Sequence, residues 1–237
     1  MRKSAVLLAG GAGRRMGGVN KAQLTLGAET FIERQIRIVS QWADEIVVVT
    51  NDEAFASSLT EAASDLAANS PPGPVVRTTP DLFVREGPLA GLHAGLSAAS
   101  HRLVWLLGCD QPAPDPRAAA WLADRLASVN GGEQGRFAAE LPNGPERNAA
   151  AVRHLAALPR IGGRLQPLHA VYDRDAAAVA EELLRQGERR LLSLLDRIEW
   201  IAVEEREFAE HGIATTFADD VDTPEQYERV YKSFYDV

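Results

Sequence analysis

Five glycines, two arginines and a lysine fall inside Gly10-Gly11-Ala12-Gly13-Arg14-Arg15-Met16-Gly17-Gly18-Val19-Asn20-Lys21. Glycine lets backbone N–H groups approach an anion closely and tolerates φ > 0. The cations neutralise what binds. A short apolar run, Ala5 to Ala9, leads into the loop and reads as a buried strand. A strand that opens into a cationic glycine loop points to polyphosphate, and a nucleoside triphosphate is the most economical one. The alternative is a glycine-rich turn with solvated side chains. Arg14 and Arg15 adjoin, so their side chains diverge, one toward phosphate and the other toward an ordinary ion pair. Lys21 lies where it reaches a phosphate or a leaving group, unless it is a surface lysine.

Asp110 follows Leu103-Val104-Trp105-Leu106-Leu107-Gly108-Cys109, a second apolar run. A carboxylate at the mouth of a buried strand suits a hard cation, and Mg²⁺ takes one or two carboxylates together with phosphate oxygens. A helix cap before Pro116 is the competing use. Asn51 and Asp81 follow two further strands, where they either touch a nucleotide or form turns. His169 and Tyr172 lie in a later strand, and a half-buried strand histidine is the plainer account of His169. Cys109 reads as a small buried hydrophobe. No Ser/His/Asp or Cys/His set is legible, and the histidines show no metal-ligand spacing.

The elements that position these residues alternate. Strands are expected at 5–9, 23–26, 45–50, 75–77 and 103–109. Helices are expected at 29–43, 52–68, 88–100 and 116–129. The β-branched run Ile46-Val47-Val48-Val49-Thr50 suits a parallel strand buried on both faces. This order predicts an α/β fold: a three-layer α/β/α, doubly wound, mostly parallel sheet. Ligands then sit beyond the carboxyl ends of the strands, where the glycine loop, Asn51, Asp81 and Asp110 all fall. Residues 130–148 read as a long loop. Beyond it, strands are expected at 149–152, 166–172, 199–203 and 214–217, and helices at 175–186, 190–196 and 225–234. Thr223 before Pro224 is a strong helix start. No linker or repeat divides the chain, so residues 1–237 read as one domain, with a nucleotide-binding half over 1–130 and an acceptor-binding half over 131–237.

The totals exclude several classes. The 237 residues carry 25 Lys and Arg against 33 Asp and Glu, a net charge of −8. An acidic chain is a poor nucleic-acid binder. The single cysteine allows neither an internal disulfide nor a cysteine zinc cluster, which suits a reducing compartment. The N-terminal apolar run is shorter than the ~7–15 residues of a signal h-region. No run approaches the ~18 apolar residues of a membrane span. The expectation is a cytoplasmic protein with no membrane and no nucleic-acid partner.

Leu8-Ala9-Gly10-Gly11-Ala12-Gly13-Arg14-Arg15-Met16-Gly17-Gly18-Val19-Asn20-Lys21 resembles the signature loop of the Rossmann-like nucleotidyltransferases, most closely the molybdenum cofactor guanylyltransferases. Gly87-Pro88-Leu89-Ala90-Gly91, Cys109-Asp110-Gln111-Pro112 and Val221-Asp222-Thr223-Pro224-Glu225 match further family blocks in family order. Gln166-Pro167-Leu168 with Tyr172 resembles a later family strand. The resemblance implies transfer of GMP from GTP to a molybdopterin phosphate, with Mg²⁺ as cofactor and release of pyrophosphate. Other cofactor-synthesis or molybdoenzyme-maturation proteins would be its partners. It implies that Leu8, Ala9, Gly10, Gly11 and Gly13 line the nucleotide site and that Arg15 and Lys21 hold the triphosphate. Asn51 and Asp81 would contact the nucleotide, and Asp110 would bind the metal. Asn20 stands where the family commonly has Asp. CTP-using relatives more often carry Leu-Ala-Ala-Gly, so Gly10 is the expected base selector. The rival readings are a molybdopterin cytidylyltransferase, another nucleotidyltransferase acting on a phosphate such as a sugar phosphate, and a nucleotide-binding regulator without turnover.

Overall fold

Alternation along the first strand decides the layering. In β1 (Lys3–Leu8), Ala5 and Leu7 enter one apolar cluster and Val6 the other. Successive strand residues face opposite sides of a sheet, so both faces of this one are covered. The sixth strand, β6 (Leu103–Gly108), divides the same way: Trp105 and Leu107 on one side, Val104 and Leu106 on the other. The computed structural model describes residues 1–10, 20–59, 73–83, 86–131 and 153–235.

After β1, a 3₁₀ turn (Lys21–Gln23) leads into the hairpin β2 (Thr25–Leu26) and β3 (Glu29–Thr30), then helix α1 (Phe31–Val39) and β4 (Glu45–Val49). Helix α2 is described over residues 53–59. Then come β5 (Val75–Thr79), α3 (Pro88–Ala98), β6 and α4 (Pro116–Val129). The later chain adds β7 (His154–Ile161), β8 (Arg164–Leu165), β9 (His169–Asp173), α5 (Ala176–Arg185), α6 (Leu191–Leu195), β10 (Glu199–Glu204), α7 (Glu205–Glu210) and α8 (Pro224–Tyr235). The main sheet runs β10-β7-β9-β6-β1-β4-β5, with β8 paired to β7. It is parallel from β5 through β6 and again at β7/β10; β9 is antiparallel to both its neighbours. Thus the expected α/β sheet is present, mostly parallel and flanked by helices, and one sheet takes strands from both halves of the chain. No helix among the described residues is long and apolar enough to cross a membrane.

One close contact sets the sheet against a helix, and a cap fixes the start of another. A Cβ on Gly95 of α3 would lie 2.2 Å from Val6 Cγ1, so this helix packs on β1 through a bare backbone. Helix α1 begins with a capping box, Thr30 with Glu33, immediately after the hairpin. Its buried face is Phe31, Ile32, Gln35 and Val39; Ile36, expected there, is only partly buried.

Several elements differ from the sequence expectation. The segment at 214–217 is a 3₁₀ turn (Thr215–Ala218), not a strand. Phe217 is held by packing against Phe208 and His169, and that tertiary demand overrides β-propensity. The strand expected at 149–152 lies outside the described residues; the one observed is β7, which begins two residues beyond that expected end. Pro159 disguised it, since proline argues against a central strand. On its β7 side, strand β9 pairs only with Ala156 and Ala157, so Pro159 lies beyond that ladder. The strand expected at 166–172 is confined to β9, and Gln23-Leu24 belong to the 3₁₀ turn and its cap. Helix α7 was not foreseen.

Candidate active site

The carboxyl ends of β6, β1, β4 and β5 lie side by side, and each carries one of the groups anticipated there. Leu8 ends β1, followed by Ala9 and Gly10. Ala9 N donates to Val49 O at 2.9 Å and Cys109 N to Leu8 O at 3.1 Å, so the chain entering the glycine loop is stitched to both neighbours. Gly10 faces open space: a Cβ there would meet no described atom within 4 Å. Gly11, Gly13, Arg14 and Arg15 lie outside the described residues.

Lys21 is the convergence point. Asn20 caps its turn, accepting from Ala22 N at 3.1 Å. An aspartate would cap equally well, so the Asn20 departure leaves this geometry in place. The Lys21 ammonium donates to Asp110 Oδ2 at 3.2 Å and to Asp222 Oδ1. The lysine side chain is 12% exposed, against 27% and 34% for the two aspartates. Burial works against its charge, yet the hydrogen bonds and charges of Asp222 and Asp110 outweigh it and raise the pKa above the ordinary lysine value. Asp110 moves upward, because burial disfavours its charge more than Lys21 restores it.

Asp110 is presented by a tight turn. A Cβ on Gly108 would lie 2.5 Å from Asp110 Oδ1, so a larger residue there would displace the carboxylate. Asp110 O accepts from Val221 N at 2.8 Å, which draws the Asp222 segment alongside. Asp222 N and Thr223 N both donate to Gln226 Oε1, and Gln226 N donates to Thr223 Oγ1. This reciprocal cap starts α8 as the sequence predicts and fixes Asp222 at its mouth. Helix α8 then packs Tyr227 on Phe31, and Tyr227 Oη donates to Thr25 O at 2.5 Å. Helix α8 is thereby seated on the hairpin and the helix that follow the Lys21 turn.

Sequence reasoning treated Asp222 as part of a helix start and missed it as a site member. Its signal was the acidic side chain before Thr223-Pro224; its partner is 201 positions away. Asn51 and Asp81 form a separate pair, two and three strands from Asp110 and so roughly 10 and 14 Å away by strand spacing. Asn51 Oδ1 accepts from Asp81 N at 2.8 Å, and Asp81 Oδ1 accepts from Phe83 N at 2.9 Å. Both therefore do turn work at the rim, and burial raises the Asp81 pKa. His169 and Tyr172 are fully buried behind the site. His169 is held down to about 3 by burial, and Nδ1 faces Gln111 Oε1 at 3.2 Å. Tyr172 Oη donates to Pro167 O. Burial pushes the Cys109 thiol up to about 12, which suits a packing role.

Among the described residues no group of three or more His, Cys, Asp and Glu is placed to hold a metal. Two carboxylates converging on one cation are nonetheless the donor set Mg²⁺ takes when phosphate oxygens and water complete its shell.

The sequence model of the family described as MobA-like NTP transferase domain matches residues 5–199. A probable molybdenum cofactor guanylyltransferase from Opitutus terrae is 32% identical over 188 residues, 78% of this chain and 73% of that protein. One of the same description from Natronomonas pharaonis is 27% identical over 231 residues, 96% of each. A crystal structure of molybdopterin-guanine dinucleotide biosynthesis protein A from Archaeoglobus fulgidus superposes with a TM-score of 0.71 at 21% identity, covering 99% of this chain and 100% of that one. That likeness is one of fold.

Proposed function

The chain belongs to the MobA-like NTP transferase family and is a nucleotidyltransferase, and we propose that it transfers GMP from GTP to a molybdopterin phosphate, releasing pyrophosphate. The observation that carries this reading is the Lys21 ammonium held between Asp110 and Asp222 at the strand ends, with the glycine loop immediately before it in sequence. The guanylyl specificity draws its support from the descriptions of the relatives. In the reaction an acceptor phosphate oxygen attacks the α-phosphorus of GTP. A new P–O bond forms as the bond to the bridging oxygen breaks, and pyrophosphate takes the electron pair.

Such a displacement needs no protein nucleophile, which agrees with a site holding a lysine, two carboxylates and no reactive thiol. Lys21 stays protonated and offers its charge to the phosphates. Leu8, Ala9 and Gly10 line the nucleotide site at the end of β1, and Asn51 and Asp81 border it; the phosphate roles expected of Gly11, Gly13 and Arg15 fall outside the described residues. Asp110 and Asp222 would hold Mg²⁺, which when bound neutralises phosphate charge. The acceptor would lie against the half of the chain after residue 130. Asn20 caps as an aspartate does, and so lends nothing to a regulator without turnover.

A pyrophosphate-release screen over GTP, CTP, ATP and UTP, with and without molybdopterin, tests the reading. GTP with molybdopterin should exceed every other pair by at least tenfold. Preference for CTP, or for a sugar phosphate added as acceptor, would replace it.

A further inference from the structure

We infer that Gln35 is a positioning residue for this reaction, holding from inside helix α1 the turn that presents Asp110; the inference rests on the role proposed for Asp110. Gln35 is fully buried on an otherwise apolar helix face. An amide is costly there unless its hydrogen bonds are made. Its Nε2 donates to Gly108 O at 2.8 Å and to Gln111 O at 2.7 Å. These two carbonyls bracket Cys109 and Asp110. Its own Oε1 finds no partner among the described residues, so the amide satisfies the turn before itself.

The same helix is tied to the cation. Leu24 N donates to Lys21 O at 3.1 Å, and Phe31 N, at the first position of α1, donates to Leu24 O at 2.8 Å. One rigid element therefore sets both the Lys21 turn and, through Gln35, the Asp110 turn. Arg34 Nε, one residue earlier, donates to Pro112 O at 3.0 Å and extends the same grip beyond Asp110. Without Gln35 the Gln111 carbonyl loses the Gln35 donor and Gly108 O keeps the longer bond from Gln111 N at 3.3 Å, so the Asp110 carboxylate loses its fixed distance from Lys21 and Asp222. Groups that orient a metal-binding side chain typically contribute about 10–100-fold in affinity or rate.

The test compares wild type, Gln35→Met and Asp110→Ala, with Gln35→Asn as a second variant whose amide is one methylene too short to reach both carbonyls. Mn²⁺ binding to the free protein is counted by electron paramagnetic resonance, alongside circular dichroism, kcat and KM for GTP. Gln35→Met should remain folded, bind Mn²⁺ at least tenfold more weakly and lose ~30-fold in kcat, with KM for GTP changed by less than threefold. Gln35→Asn should shift the same way. A lower melting temperature with Mn²⁺ affinity and kcat per folded molecule unchanged would make Gln35 structural and overturn the inference. So would failure of both variants to fold. Wild-type Mn²⁺ affinity in Asp110→Ala would instead remove the premise about Asp110, whatever Gln35 does.

Discussion

Lys21 keeps its charge because two carboxylates outweigh its burial, so its removal should be felt at the triphosphate. One lost charge-assisted hydrogen bond is about 1.5–3 kcal/mol, or roughly 10–100-fold. Lys21→Ala should therefore raise the GTP dissociation constant at least tenfold in calorimetric titration; an unaltered constant would count against its phosphate role. Gly10 has no described atom within 4 Å of a Cβ, so Gly10→Ala should fold normally. Its added methyl should instead lower the GTP-to-CTP ratio of kcat/KM by about tenfold, the selectivity one methyl group affords in a pocket. An unchanged ratio would end the base-selector argument. Lys21 and Asp110 were legible because residue type and place, a cation past glycines and a carboxylate past an apolar run, already imply their chemistry. Asp222 and Gln35 were not. Asp222 meets Lys21 across 201 positions and Gln35 meets Gly108 across 73, and no local pattern encodes either distance.

At the scale of elements, the site depends on how closely α3 lies on β1. Gly95→Ala would force a Cβ to 2.2 Å from Val6, and overpacking of that kind costs about 1–3 kcal/mol. A chain of this length should lose ~3–10 °C in melting temperature, read by calorimetry, with the GTP-to-CTP ratio intact. A melting point within 1 °C of wild type would show that the contact relaxes freely. The strands and helices whose patterns were strong, β1, β4, β6, α3 and α4, were legible because burial on both faces or a proline start marks them. The later chain was harder. Strand β7 carries Pro159 with two alanines, a histidine and an arginine, and it exists because β9 and β10 pair with it from far along the sequence. The 3₁₀ turn at Thr215–Ala218 has strand-like residues but serves to seat Phe217.

Across the whole molecule, chemistry occupies one end of the sheet and an ion-pair network pins the other. Burial alone would raise the Glu45 pKa, but hydrogen bonds from Ser4, Ser100 and Arg77 hold it down to about 2. A carboxylate whose folded pKa lies below its unfolded one stabilises above the unfolded value, and that contribution disappears as pH falls. Stability should thus decline between about pH 4.5 and 2. With solvent screening around Arg77, the part due to Glu45 is ~1–2 kcal/mol. Glu45→Gln should flatten that limb in urea titrations; a limb as steep as that of wild type would contradict the assignment. The strands, helices and glycines divide their labour so that Asp110, Lys21 and Asp222 meet at the far end. The most direct measurement of the central claim is pyrophosphate release from GTP with molybdopterin, wild type beside Asp110→Ala. The account predicts Mg²⁺-dependent release by wild type and a loss of at least 100-fold in the variant, with its circular dichroism unchanged. Near-normal release by Asp110→Ala, or none by wild type, would contradict it.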